Sequence, residues 1–244
     1  MFTGSTAVRD GRAANYYAFE WGDALVVVLD PFWSTNRRIG GGGGTPRIIE
    51  PTDASWSMTL GREQYDWLER TLAASKAPHK LVFIHHLVGG KGGSEARGGA
   101  ESSPFFEWGG KNADGTPGFA ERRPGWPMPI HDLLVKHGVD AVFHGHDHLY
   151  VHSGRDGLTY QCVPQPGNPA GGTRSAEDYG YRSGTILGSP GYLRVKVDPE
   201  VLRVEFVRTA LENPNDARRR EREPNGTVVD SYEIRAERPA PKAS

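Results

Sequence analysis

Two apolar runs that each end in histidine constrain this chain more than any other feature. Residues 139–152 read V-D-A-V-F-H-G-H-D-H-L-Y-V-H and hold four of the nine histidines: His144, His146, His148 and His152. The apolar run Val139 to Phe143 reads as a buried strand, and Gly145 sits just past its end. A second run, Lys80 to Ile84, ends the same way in His85-His86. Helical sequence precedes each run. In L-G-R-E-Q-Y-D-W-L-E-R-T-L-A-A (60–74), Tyr65, Leu68 and Leu72 fall on one helical face, with Thr59 placed to cap its start. Pro129 to His137 reads as a short helix closed by Gly138, with Ile130, Leu133 and Leu134 inward. Helix then strand, twice over, predicts neighbouring parallel strands in an α/β layer. Parallel neighbours bring their carboxyl ends together, so His85 is expected to meet His146 and His148 in space. That edge is where open α/β sheets place their sites.

The spacing His-x-His suits two ligands to one metal or to adjacent metals, because neutral imidazole is a common metal ligand. The plainer reading is a polar loop after a strand, which four histidines in nine residues disfavour. The single cysteine, Cys162, excludes an internal disulfide framework and a Cys-rich zinc site. Any metal must then be bound by His, Asp, Glu or Asn. His131 and His137 read as a helix-surface residue and a partner of the helix C-terminal dipole. Asp30, in Asp30-Pro31 after the apolar run Ala24 to Leu29, reads as turn chemistry before it reads as a ligand.

The remaining sequence predicts one domain, 1–235, with long loops at 34–56, 87–127 and 164–190 and a loose tail at 236–244. The 32 glycines and 18 prolines explain the loops without implying disorder throughout. Asn15 to Trp21 and Ala24 to Leu29 read as a strand pair around Gly22-Asp23. The five glycines 40–44 lack the strand before and helix after that a phosphate cradle needs, and read as a loop. Phe105, Phe106, Trp108, Phe119 and Trp126 either wall a substrate pocket or anchor their loop. Glu95, Glu101 and Glu107 carry no distinguishing context. Leu158 to Val163 is a predicted strand; Gly191 to Val197 and Val201 to Arg208 form a hairpin; Thr227 to Ile234 is the last strand. Asn225-Gly-Thr is formally a glycosylation sequon and first of all a turn. A net charge of -1 gives no electrostatic case for nucleic acid or an acidic membrane. No apolar run approaches ~18 residues, so no transmembrane helix is expected. The first residues, M-F-T-G-S-T-A-V-R-D, do not read as a signal peptide, and localisation stays open.

On Q-Y-D-W-L-E-R-T-L (64–72), K-L-V-F-I-H-H (80–86), G-H-D-H-L-Y (145–150) and, more weakly, N-G-T-V-V-D-S-Y (225–232), the chain resembles the carboxyl-terminal part of calcineurin-like metallophosphoesterases, nearest their purple-acid-phosphatase-like branch. The resemblance implies an α/β (α+β) chain forming part of a four-layer αββα sandwich, with mixed sheets and flanking helices. It implies a dinuclear centre of divalent or trivalent ions (Fe, Zn or Mn) and a phosphate-ester substrate. His85 and His146 would bind one metal and His148 the other, with the Asp147 side chain turned away and no role assigned to His144 or His86. The family's D-x-H, G-D-x-x-D and G-N-H-[DE] motifs do not occur in this sequence. The chain therefore reads as beginning after them, without a bridging aspartate, an asparagine ligand or an identifiable catalytic residue. Three imidazoles are too few for two metals, though they suffice for one zinc with an open position. An enzyme impaired on its own, and a non-catalytic metal-binding or interaction module on the same fold, are both consistent with this pattern.

Overall fold

The computed structural model describes residues 2–4, 8–9, 12–35, 53–90, 96–167, 171–209 and 223–236; for residues 2–12, 53 and 54 it describes backbone alone. The glycine run 40–44, Glu95 and most of the expected tail lie outside the described residues. The strands are β1 (Phe2–Gly4), β2 (Val8–Arg9), β3 (Arg12–Ala13), β4 (Tyr17–Trp21), β5 (Ala24–Leu29), β6 (His79–Ile84), β7 (Ala141–His144), β8 (Leu149–Arg155), β9 (Leu158–Cys162), β10 (Thr185–Gly188), β11 (Gly191–Val197), β12 (Val201–Arg208) and β13 (Val228–Arg235). The helices are α1 (Gly61–Ala74), α2 (Phe106–Gly109), α3 (Phe119–Arg122) and α4 (Ile130–Lys136).

Eight strands form one mixed sheet in the order β1-β4-β5-β6-β7-β9-β8-β10, and β11-β12-β13 form a second. Strands β5, β6 and β7 run parallel, with Leu29 opposite Ile84 and Ile84 opposite His144. The parallel register predicted from the two helix–strand units is thus the observed one, and it aligns the two histidine-bearing strand ends. One face of the large sheet carries Leu25, Val27, Val82 and Val142 against Tyr65, Leu68 and Leu72 of α1 and Ile130, Leu133 and Leu134 of α4. Burying one such side chain contributes about 1.5–3 kcal/mol. The opposite face carries Leu81, Ala141 and Phe143 against Leu202 and Val204 of β12, with Leu193, Val195, Tyr232 and Ile234 alongside. These are the mixed sheets and flanking helices expected, as an αββ stack among the described residues.

Several expectations need correcting. Helix α1 begins one residue later than Thr59 alone would cap it: Leu60 is the N-cap, and the Thr59 hydroxyl accepts from Gly61 N at 2.9 Å. Leu60 N instead donates to Glu107, a fully buried carboxylate from the long loop that also pairs with Arg123. Glu107, which had no evident role, is a fastener. His131 is not a helix-surface residue. It is buried, its Nδ1 facing the Tyr160 hydroxyl at 2.8 Å and its Nε2 facing Asp156 at 2.9 Å. Strand β8 starts at Leu149, directly after the histidines, and pairs with both β9 and β10. Strand β10 lies inside the stretch read as loop, because its side chains are half-buried without alternation. The aromatics of the 87–127 loop divide. Phe106 and Trp108 are fully buried, Trp126 packs tilted against Tyr65 with ring centroids 4.4 Å apart, and the Trp108 indole donates to Tyr160 at 2.8 Å. They anchor the loop.

Candidate metal centre

The site is built where β6 and β7 stop. Beyond Ile84 the chain leaves the sheet at His85-His86, and beyond His144 it leaves at Gly145. Gly145 N donates to His85 O at 3.0 Å, which ties the two exits together. The rings follow. His85 and His146 centroids are 5.0 Å apart, His85 and His86 5.7 Å, and His86 and His146 5.9 Å. His85 and His146 are therefore brought together as the sequence led us to expect. His148 is exposed, and its proximity to His85 helps lower the pKa of the latter. His144 lies behind the cluster, buried and parallel to Tyr181 at 6.5 Å. His152 lies away from it, in mid-β8, stacked on Tyr232 at 3.6 Å.

The loop 145–148 is held in an uncommon conformation. His146 and His148 have φ of 73° and 57°, in the left-handed region that side chains other than Gly, Asn, Asp and His rarely enter. Such residues cost of order 1–3 kcal/mol each and persist only where the surroundings over-determine them. Asp147 supplies that determination. Its side chain is buried. It accepts from Arg97 Nη1 at 2.9 Å, from Gly98 N at 3.0 Å and from the Tyr181 hydroxyl at 2.6 Å. Arg97 also donates to His146 O at 3.0 Å and lies 4.3 Å over the Tyr179 ring. Gly98 is required where it is: at φ 94° its added Cβ would meet Ser102 Oγ at 2.2 Å or less. Past the second histidine, Ser189 Oγ donates to His148 O at 2.6 Å.

Electrostatically the cluster favours neutral imidazole, the form that binds metals. Burial pushes His86 down to about 3 and His144 down to about 4. Burial also lowers His85, with the nearby Asp147 charge opposing it. His86 Nδ1 donates to the Leu87 carbonyl at 3.1 Å, so in the neutral ring Nε2 carries the lone pair. That Nε2 is buried with no hydrogen-bond partner. Phe32 closes the cluster from above, edge-on to His86 at 5.2 Å and 5.8 Å from His85. Phe32, Asp30, Asn15 and Val28 join His85, Phe83, Phe143 and His144 around a cleft of about 420 Å³. Asp30 proves to be turn chemistry: its carboxylate accepts from Phe32 N at 2.8 Å.

The residues present fit one side of a metal centre. The rings of His85, His86 and His146 cluster, burial favours the neutral form of His85 and His86, and His86 Nε2 is unsatisfied. They do not complete a site: among the described residues no group of three or more His, Cys, Asp or Glu side chains is arranged to hold an ion. Sequence reasoning missed Arg97, Tyr181, Phe32 and His86. Only the histidine following His85 carried a visible signal; the others reach the site through loops that no spacing rule connects to it.

No family model and no curated protein matches this sequence. Solved structures do. PhoD superposes with a TM-score of 0.57 at 17% identity over 96% of this chain and 44% of its own. A purple acid phosphatase from yellow lupin (Lupinus luteus) seeds gives 0.45 at 16% identity over 90% and 32%. GAP50, described as the anchor in the inner membrane complex of Plasmodium, gives 0.48 at 11% over 92% and 54%. The chain thus spans less than half the length of PhoD, and at these identities the likeness is one of fold. Its two stacked sheets, with the histidines at the carboxyl ends of β6 and β7, share the fold of PhoD.

Proposed function

We propose that this chain carries the imidazole side of a metal-dependent phosphoric ester hydrolase, with His85, His146 and His148 as its metal ligands. The observation that supports this most is the pair of left-handed histidines flanking a buried aspartate, with His146 5.0 Å from the imidazole of His85, just past the end of the neighbouring parallel strand. Backbone strain held by a buried carboxylate network serves a packed core poorly and a ligand set well. A metal held there would polarise a phosphoryl oxygen and lower the pKa of its bound water. The chain's own residues have narrower tasks. His85 and His146, with ring centroids 5.0 Å apart, would offer ring nitrogens to one ion. Asp147, with Arg97 and Tyr181, fixes where the two loop histidines stand. Phe32 keeps water from the covered side of His85 and His86. A dinuclear Fe, Zn or Mn centre needs oxygen ligands opposite these rings, and the D-x-H, G-D-x-x-D and G-N-H motifs that would bring them are not in this sequence.

For that reason a second reading is kept: a non-catalytic metal-binding module on the same fold. One experiment separates them. The purified chain is loaded with zinc or manganese, desalted, analysed for metal and assayed on p-nitrophenyl phosphate, beside His146→Ala and His148→Ala. Metal retained by the wild type and lost by both variants, with turnover that falls in step, supports the hydrolase. Retained metal without turnover selects the module. Equal metal in wild type and variants rejects the site.

A further inference from the structure

The cleft beside His85 has a chemical character that the metal reading does not use. Phe32, Phe83, Phe143, Val28 and Val163 line it, together with His85 and His144. Phe83 and Phe143 stack nearly parallel, with ring centroids 4.8 Å apart. Phe32 is 50% exposed and its ring lies 5.8 Å from that of His85. The turn that presents Phe32 is fixed from below. Buried Gln64 of α1 clamps the backbone of Asp30, accepting from its N at 2.8 Å and donating to its O at 2.9 Å. The Asp30 carboxylate accepts from Phe32 N at 2.8 Å, and the Thr35 hydroxyl donates to Pro31 O at 2.7 Å. An aromatic ring held by such a network, and left half-exposed beside a proposed ligand imidazole, is a preformed wall.

Charge says what the wall is for. Among the described residues that line the cleft, Asp30 alone is formally charged and no Lys or Arg takes part. Burial holds His85 and His144 toward the neutral form. A phosphate ester has an anionic end and an organic end. An acidic lining without cations repels the first and leaves the cleft to the second. It also selects among organic ends. A sugar or nucleotide would set hydroxyls or further phosphates against Phe83, Phe143 and Val163, where their hydrogen bonds to water would go unreplaced. A carboxylated group would meet Asp30. A flat, uncharged ring suffers neither cost, and it gains ring contacts with Phe32 and with the Phe83–Phe143 pair. The volume of about 420 Å³ lies within the usual span of small-molecule sites.

We infer that this cleft holds the organic group of the phosphate ester, and that the group it selects is an uncharged aromatic ring. The ester rests on the hydrolase reading, but recognition of the ring can be measured without metal or turnover, so the two can fail separately. 2-Naphthol and 6-hydroxy-2-naphthoate are titrated against the whole metal-free chain by ligand-observed NMR. Naphthol should bind at least about ten-fold tighter than its carboxylated analogue. Phe32→Ala, at a half-exposed position, should weaken naphthol about five-fold. Asp30→Asn, which keeps an acceptor for Phe32 N, should bring the two compounds within about three-fold of each other. Near-UV circular dichroism checks that both variants fold. In the zinc-loaded chain, 2-naphthyl phosphate should have a KM at least about ten-fold below that of 6-carboxy-2-naphthyl phosphate, and Phe32→Ala should raise it. No binding of naphthol, equal binding of the two compounds, or wild-type binding by Phe32→Ala overturns the inference, whatever the metal assay gives. Selective naphthol binding that responds to both variants, without hydrolysis of either ester, leaves the aromatic site standing and rejects the hydrolase reading instead.

Discussion

The two ends of β6 and β7 carry histidine, and they use it in opposite ways. At the amino edge, His79 Nδ1 lies 3.5 Å from Asp140 and its Nε2 meets Asp198 O. Asp140 also accepts from Lys80 N at 2.7 Å, and the Lys80 ammonium donates to His137 O at 2.7 Å. The backbone there enters the left-handed region at Gly22, Gly138, Asp156 and Gly157, in turns between elements. At the carboxyl edge the imidazoles face one another, His86 Nε2 has no hydrogen-bond partner, and two histidines hold positive φ. His131, elsewhere in the fold, completes the contrast: Trp108 donates to Tyr160, Tyr160 faces His131 Nδ1, and His131 Nε2 faces Asp156. His131 thus has a protein partner at each ring nitrogen, whereas His79 Nδ1 and His137 Nε2 are buried without a hydrogen-bond partner, as His86 Nε2 is. Where strain and an unmet lone pair gather at one edge, local consistency has been given up, as happens at functional sites.

The contrast breaks most visibly at Asp147. Replacing it with Ala removes the acceptor from Arg97, Gly98 and Tyr181 at once, and should cost about 3–5 kcal/mol in urea unfolding. It should also lower metal retention although Asp147 touches no metal, because His146 and His148 lose their imposed conformation. Asp140→Ala is the matched change at the other edge. It deprives Lys80 N and His79 of their partner and should cost about 1–3 kcal/mol with metal retention unchanged. If both variants lose metal, the two edges are not distinct.

A smaller effect should separate a fastening histidine by pH. Burial is the leading cause of the lowered pKa of His131, so its folded value lies below the usual 6.5. The unfolded chain then takes up a proton first as pH falls through about 6.5. Stability tied to His131 is fully present above that pH and is lost between it and the lower folded value. Thermal melts from pH 7.5 to 5 should show a steeper decline for the wild type than for His131→Phe. Parallel curves would remove His131 from the account. The smallest change in stability is expected for His148→Asn. Asn tolerates positive φ and the site is exposed, so unfolding should shift by less than about 0.5 kcal/mol. Metal content should nonetheless fall.

Much of the site's frame was legible from local pattern. Apolar runs ending in histidine gave β6 and β7, the 3.6-residue spacing of Tyr65, Leu68 and Leu72 gave α1, and the helix–strand repeat gave the parallel order that joins His85 to His146. The start of β8 at Leu149 was hidden because the histidines directly before it read as a loop. His131 was misread because a polar residue on a short helix carries no mark of the Tyr160 and Asp156 that bury it.

The sequence by itself determined which strand ends carry imidazole and that those ends lie side by side, since strand period and crossover length are local properties. It also determined that no cysteine could share the site and that the aspartate and asparagine motifs of the family it resembles are not within this chain. Only the tertiary structure decided that Asp147 is buried, that Arg97 and Tyr181 from distant loops hold it, and that His86 sits in the cluster with a bare nitrogen. Those facts depend on which surfaces are desolvated against which, and desolvation is set by packing between segments far apart in the chain.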